Sequence, residues 1–221
     1  MKMETAASPY YPVMLNIRGK KCLVVGGGEV ALHKVQTLLQ HGASVLIVST
    51  VFCSGLKALA GDDAIRAISR EYDAADLDGV FVVIAATDDG AINEKVAVDA
   101  KKKQIPINVV DMPAISDFIV PSYFRRGDII VAVSTSGKSP ALARKIRSEL
   151  ETEVKAEYAQ LAIIASDVRN ELKKNGIAVS AEQWQKALDL NSLLELIKRR
   201  KNKEAKEILL ARLKTVSQRK P

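Results

Sequence analysis

A glycine-rich segment near the start of the chain has the residue types and spacing of a dinucleotide-binding turn. The sequence GGGEVA at 26–31 follows an apolar run and opens a helical one, which is the context that a GxGxxA pattern requires. Gly26 would permit a tight turn, Gly28 would let the backbone approach a pyrophosphate, and Ala31 would let helix and strand pack closely. The anion would lie at the helix N-terminus, where free N–H groups favour negative charge. A glycine turn that binds no ligand is the alternative.

The second predicted strand ends without the Asp or Glu that many NAD proteins place against the ribose hydroxyls. It reads Val48-Ser49-Thr50, and no arginine cluster for a 2′-phosphate is present there either. We therefore expect Thr50 and the backbone of Val51 to hold the ribose, and the chemistry of this loop leaves NAD and NADP both open. The candidate cofactor-binding residues are Gly26, Gly28, Glu29, Val30, Thr50, Val51 and Thr87.

Asp111 is the candidate catalytic base. It follows the β-rich run INVV at 107–110, so it would lie at the carboxyl end of a parallel strand, where ligands collect in open α/β sheets. The alternative is that Asp111 only caps a turn before Met112-Pro113. Asp88 and Asp89 also follow a strand, but they precede a helical stretch, and a helix N-cap is the favoured interpretation for them.

A group of cations after Asp111 could bind a ligand rich in carboxylates, because arginine holds carboxylates bidentately. Taken singly, each of them is more simply a solvated charge. No metal is expected, because the two cysteines and two histidines do not have the spacing of a metal site. The cations are Arg125, Arg126, Lys138, Arg144 and Arg147.

The elements that must position these residues alternate between strand and helix as far as Val110. The predicted strands are 21–26, 44–49, 65–69, 80–86 and 107–110, and the clearest helix is 29–40, which Gly42 ends. Two further β-rich runs, DFIVPSYF and DIIVAVST, are joined by a predicted hairpin turn at 125–128, and from Ser139 onward the pattern is helical. The charged run at 198–206 is interpreted as a polar loop.

These patterns predict an α/β protein with a Rossmann-like parallel sheet, a small β segment and a helical C-terminal domain. The predicted domains are an NAD-binding domain at 1–112, a dimerisation and substrate segment at 113–150, and the helical domain at 151–221. No apolar stretch reaches the roughly 20 residues of a membrane helix. The first twelve residues lack the apolar centre of a secretory signal, and the cysteine usage fits a reducing cytoplasm.

The net charge of +7 is uneven, since residues 151–221 carry 15 Lys or Arg and 10 Asp or Glu. Such an excess can attract nucleic acid, a membrane surface or a polyanionic small molecule, and charge alone does not choose among them. Few aromatic residues and no recognisable DNA- or RNA-binding motif count against nucleic acid. A solvated helix face is the simplest interpretation of this basic region.

Five motifs give the chain a resemblance to the precorrin-2 dehydrogenase family, which includes the dehydrogenase and chelatase module of siroheme synthases. The similarity covers at least residues 10–151 in order, and the segment around Ser134 to Pro140 is its most specific part. The motifs are VVGGGEVALHK at 24–34, AATDD at 85–89, NVVD at 108–111, FIVPS at 118–122 and VAVSTSGKSPALARKIR at 131–147.

The resemblance implies a homodimer that oxidises precorrin-2 to sirohydrochlorin with NAD. Asp111 matches the aspartate of the family's NVVD motif, which implies a central role in oxidation. Some members then insert ferrous iron and others do not, and the sequence leaves that step open. Siroheme synthases continue into a methyltransferase domain, so methylation is expected to come from another protein here.

The resemblance also places Ser134, Thr135 and Lys138 in the family's segment near the substrate, beside Arg125 and Arg126 as substrate-binding candidates. Thr135 falls where siroheme synthases can carry a phosphorylated serine, and its replacement by threonine leaves regulation open. A regulatory NAD-binding module without catalysis is the alternative function. Such a module commonly keeps the acidic ribose residue that is missing here, and it has no need for the segment from Asp111 to Arg147.

Overall fold

The chain folds into two compact units, Met1–Val120 and Pro121–Pro221. The computed structural model describes residues 9–59 and 63–218. Residues 1–8, most of the segment that lacks the apolar centre of a secretory signal, lie outside the described residues. The division of the chain into three functional domains stays a prediction.

The first unit contains a five-stranded parallel sheet with the strand order β3-β2-β1-β4-β5. This order and direction confirm the predicted Rossmann-like α/β fold. β4 is shorter than the predicted 80–86, because the N–H of Val80 bonds to the Leu77 carbonyl at 3.1 Å in the turn before it. The strands are β1 Lys21–Val25, β2 Ser44–Ser49, β3 Ile65–Ser69, β4 Val82–Ala85 and β5 Ile107–Val109.

Three helices cover the sheet on both faces: α1 Glu29–Gln40, α2 Ser54–Leu59 and α3 Gly90–Lys102. Alternate residues of β1 enter opposite cores, with Cys22 and Val24 in the core under α1, and Leu23 and Val25 in the core under α3. Burial of both faces explains why these strands are continuously apolar. The bounds of α1 are those that the sequence predicts.

The second unit begins with an antiparallel pair, β6 Ser122–Arg126 and β7 Ile129–Val133, followed by α4 Pro140–Glu153. Gly127, with φ +58°, makes the turn between the strands. The pair confirms the predicted small β segment, although residues 117–121, which the sequence assigns to its first strand, are not part of it. α4 packs against both strands.

Four more helices form the C-terminal part: α5 Glu157–Lys174, α6 Ala181–Ala187, α7 Leu190–Lys198 and α8 Asn202–Gln218. The prediction of a polar loop at 198–206 is wrong, because only residues 199–201 separate α7 from α8. Lys and Glu are good helix formers, and Ala205 is fully buried against the apolar core, so this run forms the start of α8. Throughout the described residues, every helix is too short or too polar to span a membrane.

Candidate functional site

The glycine turn between β1 and α1 fits tightly between two other loops of the first unit. Gly26 has φ +132°, and a Cβ there would lie 2.2 Å from the carbonyl oxygen of Ala86, just after β4. A Cβ on Gly27 would lie 1.8 Å from the carbonyl oxygen of Val51, just after β2. Any larger residue at either position would collide with backbone atoms. Gly27 was absent from the sequence candidates, although it belongs to the same glycine run.

Gly28 differs from its neighbours because it faces open space. A Cβ at this position would meet no atom within 4 Å. Gly28 is also the N-cap of α1, and no side chain caps the helix there. The candidates Glu29 and Val30 follow it and are exposed. An uncapped helix N-terminus behind an open glycine has the geometry that an anionic phosphate group needs, so these residues fit the pyrophosphate of a dinucleotide.

The loop after β2 carries the ribose candidates and is held by Ser49. The Ser49 hydroxyl donates to the Val51 carbonyl at 2.8 Å, and the backbone N–H of Cys53 donates to the carbonyl of Gly27 at 2.7 Å. These bonds fix the loop against the glycine turn and leave the side chains of Thr50 and Val51 exposed. The structure therefore brings Thr50 and Val51 next to the turn, as the pattern predicts.

The loop after β4 is fixed by Asn93, a buried side chain of α3 that the sequence reasoning missed. The Asn93 amide donates to the Thr87 carbonyl at 2.9 Å, and its oxygen accepts from the Thr87 hydroxyl at 2.8 Å. The hydroxyl of Thr87 is therefore already hydrogen-bonded within the protein. Asp89 accepts from the N–H groups of Ala91 and Ile92, at 2.8 and 3.2 Å, which confirms that it caps α3.

Asp111 lies two residues beyond the end of β5, with an exposed side chain and φ +59°. This left-handed conformation is unfavourable for residues other than glycine, although Asp tolerates it better than most. The Ser116 hydroxyl stabilises the turn. It accepts from the N–H of Val109 at 2.8 Å and lies 3.0 Å from the carbonyl of Met112, to which it can donate. Ser116 therefore bonds to the backbone both before and after Asp111, which fixes its position.

The chain after this turn runs back along the free edge of β5. The N–H of Asp117 donates to the Ile107 carbonyl at 2.8 Å, and the Asp117 carboxylate accepts from the Ile107 N–H at 3.2 Å. The amide of Asn108, a buried side chain, donates to the Phe118 carbonyl at 3.0 Å. These bonds anchor both ends of the segment that carries Asp111. Sequence reasoning missed Asn108 and Ser116, because their partners cannot be read from residue type.

The substrate candidates lie in the second unit, and three of the arginines there have partners. Arg126 pairs with Glu151 at 3.0 Å, and Arg147 pairs with the same carboxylate. Arg125 donates through Nε to the Gly127 carbonyl at 2.6 Å and is half exposed. Lys138 and Arg144 are exposed on the surface.

The Ser134-Thr135 loop bonds mainly to itself. The Thr135 hydroxyl donates to the Ser139 carbonyl and accepts from the Ser139 N–H, both at 3.0 Å. Ser134 accepts from the N–H of Ser136 at 3.0 Å. Ser139 in turn caps α4 through the N–H of Leu142. The loop is thus a preformed turn at the start of α4, and the roles of Ser134 and Thr135 towards a substrate stay predictions.

The Cys22 thiol offers little reactivity. Burial raises the pKa of the Cys22 thiol to about 11, which keeps it protonated at neutral pH.

Within residues 9–59 and 63–218, no three His, Cys, Asp or Glu side chains are grouped so that they could hold a metal ion.

The parallel sheet, the open glycine turn and the carboxylate at the end of β5 define a Rossmann-like NAD(P)-binding protein. Comparison with known families agrees with this class. Residues 13–122 match an NAD(P)-binding family, and residues 126–153 match the central domain of sirohaem biosynthesis proteins.

The chain is similar to several curated siroheme synthases. That of Methylococcus capsulatus is 37% identical over 203 residues, which are 91% of this chain and 43% of the relative. That of Thioalkalivibrio sulfidiphilus is 39% identical over 208 residues, which are 93% of this chain and 42% of the relative. The chain thus spans less than half the length of these relatives.

A solved structure described as SirC, precorrin-2 dehydrogenase, matches with a TM-score of 0.68 and 26% identity, over 93% of this chain and all of that one. The chain belongs to the family that comprises precorrin-2 dehydrogenases and the corresponding module of siroheme synthases. The resemblance found in the sequence motifs is therefore confirmed.

Proposed function

We propose that this protein oxidises precorrin-2 to sirohydrochlorin with NAD as the electron acceptor. The observation that carries the proposal is the exposed Asp111, held in a left-handed turn at the carboxyl edge of the same sheet that carries the open glycine turn. Ligands of open α/β sheets bind along this edge. The similarity to a precorrin-2 dehydrogenase and to siroheme synthases supports the choice of substrate.

The first unit would bind the cofactor. Gly28 and the first turn of α1, with Glu29 and Val30, would take the pyrophosphate, because N–H groups there are not capped by any side chain. Thr50 and the backbone of Val51 would contact the ribose, and the backbone of Thr87 would face the dinucleotide from the loop after β4. When bound, the nicotinamide supplies a hydride acceptor.

Oxidation removes one hydride and one proton from the substrate. The two electrons leave with the hydride to the nicotinamide, and the carboxylate of Asp111 accepts the proton as a general base. The turn that Ser116 stabilises would hold the Asp111 carboxylate in place during oxidation of the substrate. The products are the oxidised tetrapyrrole, the reduced cofactor and a proton that is released to solvent.

The second unit would contribute to recognition of the substrate, whose eight carboxylates require cations. Arg125 and Lys138 are the most available candidates, whereas Arg126 would have to exchange its partner Glu151 for the substrate. Ser134 and Thr135 would contact it through their preformed turn. We further propose that the protein works as a homodimer in the cytoplasm, as expected for its family.

The variant Asp111→Asn tests the proposal, since it keeps the shape of the side chain and removes the base. Wild type with precorrin-2 and NAD should give NADH and the sirohydrochlorin spectrum. The variant should lose roughly 10²- to 10⁴-fold in turnover, the range that general base catalysis contributes. Its affinity for NAD, measured by calorimetry, should not change.

Asp63→Asn is the matched control, because it removes an exposed carboxylate that precedes β3 at the opposite edge of the sheet. It should turn over like wild type. If Asp111→Asn also keeps full turnover, Asp111 is not the base. If wild type binds NAD and leaves the precorrin-2 spectrum unchanged, the regulatory module without catalysis replaces the enzyme.

A further inference from the structure

Lys34 occupies an unusual position for a charged residue. It lies on α1 at helical spacing from Ala31 and Leu38 and next to Val35, all three of which are buried in the core between α1 and the sheet. Lys34 itself is only partly exposed. Residues three or four positions apart share one face of a helix, so the stem of Lys34 lies against the apolar side of α1 rather than on its solvent side.

The direction of the side chain follows from helix geometry. Side chains on an α-helix lean towards its N-terminus, and the N-terminus of α1 lies at the carboxyl edge of the sheet, directly after β1. The ammonium of Lys34 therefore points towards the carboxyl edge of the sheet, where Asp111 lies. Burial lowers the pKa of Lys34, and the negative charge of Asp111 partly opposes this shift.

Lys34 has no direct partner within the part of the chain that the structure describes. It makes no ion pair there, whereas Lys103 of the same unit pairs directly with Asp78. Among the charged groups, Asp111 is the one whose charge raises the pKa of Lys34, although the described residues contain no salt bridge between the two. An ammonium that is partly withdrawn from water without a partner is unfavourable, and a nearby anion would compensate it. The charge of Lys34, which has no ion-pair partner among the described residues, therefore favours the binding of an anionic group.

We propose that Lys34 is a ligand-binding cation that takes an anionic oxygen group, a carboxylate or a phosphate, beside Asp111. This inference rests on the proposed function for the identity of the ligands. A compact ammonium accepts either group as a point charge. The carboxylate would come from the tetrapyrrole and the phosphate from the dinucleotide. Lys34 would also offset the repulsion between Asp111 and a substrate that is itself a polyanion.

The test measures binding to the full chain with each ligand separately. Sirohydrochlorin, the product, is titrated by its absorbance, and NAD by calorimetry, against wild type, Lys34→Met and Lys34→Arg. Met keeps the apolar stem and removes only the charge. We expect Lys34→Met to weaken one of the two ligands by roughly 10- to 100-fold, the usual loss for a hydrogen bond to a charged group. Lys34→Arg should recover most of that loss.

Lys101→Met is the matched control, because it removes one exposed lysine charge from the last turn of α3, away from the carboxyl edge. A loss limited to sirohydrochlorin identifies a carboxylate as the partner of Lys34, and a loss limited to NAD identifies a phosphate. If both affinities stay within the change seen for Lys101→Met, the proposal is overturned. It is also overturned if turnover falls while both affinities are unchanged, because Lys34 would then act only through Asp111.

Thermal unfolding separates this role from a structural one. Removing an unpaired, partly buried charge should leave the melting temperature of Lys34→Met equal to or above that of wild type, whereas a structural lysine would lower it. If Lys34→Met does not fold, Lys34→Gln takes its place in the same titrations. If the wild type binds both ligands but does not oxidise precorrin-2, the proposed function is wrong. The binding titrations would still test the proposal for Lys34.

Discussion

Asp76 and Asp111 belong to the same unit, yet their surroundings are opposite. The Asp76 side chain is 5% exposed and accepts two hydrogen bonds from the Arg70 guanidinium, at 2.8 and 2.5 Å. It also accepts from the backbone N–H of Asp73 at 2.9 Å. Asp111 is exposed, and what holds it is the backbone turn around it rather than bonds to its carboxylate.

We propose that this difference separates a carboxylate that stabilises the fold from one that acts on a ligand. The hydrogen bond from Arg70 is the main reason that the pKa of Asp76 lies below its usual range. The ionised carboxylate therefore stabilises the folded state. In the turn at Asp111 the stabilising bonds come from Ser116, which leaves the carboxylate available. A substitution of Asp76 should therefore affect stability alone, and one of Asp111 should affect catalysis first.

Asp76→Asn should have the largest effect on stability. The amide cannot pair with both Arg70 nitrogens as a carboxylate does, and we expect the free energy of unfolding to fall by about 2–3 kcal/mol, as for loss of charge-assisted hydrogen bonds at a buried site. Denaturant unfolding measures it. Below the melting temperature, turnover should remain that of wild type.

The pH dependence of this loss has a definite sign. Because the pKa of Asp76 is lowered by folding, its contribution is complete above the unfolded value of about 3.9 and is lost as the pH falls through the lower folded value. The gap between wild type and Asp76→Asn should thus be widest near neutral pH and close in acid. A gap that stays constant down to the acid limit would contradict the assignment.

Asp78→Asn is the control for this substitution. Asp78 pairs with Lys103, but its side chain is 72% exposed, and exposed ion pairs contribute little to stability. Its effect should be small beside that of Asp76→Asn. Equal effects would mean that burial does not distinguish the two pairs.

Much of the first unit could be predicted from the sequence, because continuous apolar strands and the spacing in α1 give clear periodic signals. The bounds of α1 and the place of Asp111 after β5 follow from those signals. The run at 198–206 is an exception, because its charge suggests a loop whereas its residue types favour a helix.

The contacts that hold the site loops could not be predicted from the sequence. Asn93 bonds to Thr87 across six positions and Asn108 to Phe118 across ten, and such bonds depend on how the chain returns on itself. Lys34 lies inside the motif VVGGGEVALHK at 24–34, but its residue type suggests only a solvated charge. Its spacing from Ala31 and Leu38 was the signal that could have identified it.

Ser116→Ala should affect both stability and catalysis, and so it tests whether the backbone turn positions Asp111. Loss of the hydroxyl leaves the N–H of Val109 without its acceptor, and we expect about 1–2 kcal/mol lower stability. Turnover should fall roughly tenfold through displacement of the carboxylate, with unchanged affinity for NAD. Steady-state kinetics and denaturant unfolding measure the two effects.

Ser166→Ala is the matched control, since Ser166 is exposed on α5 and Ala is the better helix former. It should be neutral or slightly stabilising. Turnover that survives in Ser116→Ala while stability falls would mean that the turn holds the fold but not the catalytic geometry.

The smallest expected effect isolates the backbone of Asp111 from its charge. Asp111→Ala and Asp111→Gly both lack the carboxylate, so both should lose turnover to the same extent. Only glycine adopts φ +59° without strain, while its flexibility in the unfolded chain opposes part of that gain. We expect the glycine variant to be more stable than the alanine variant by up to about 1 kcal/mol, measured by denaturant unfolding. Equal stabilities would show that the turn around Asp111 stores no strain, and its fixed position would then depend on the hydrogen bonds around it.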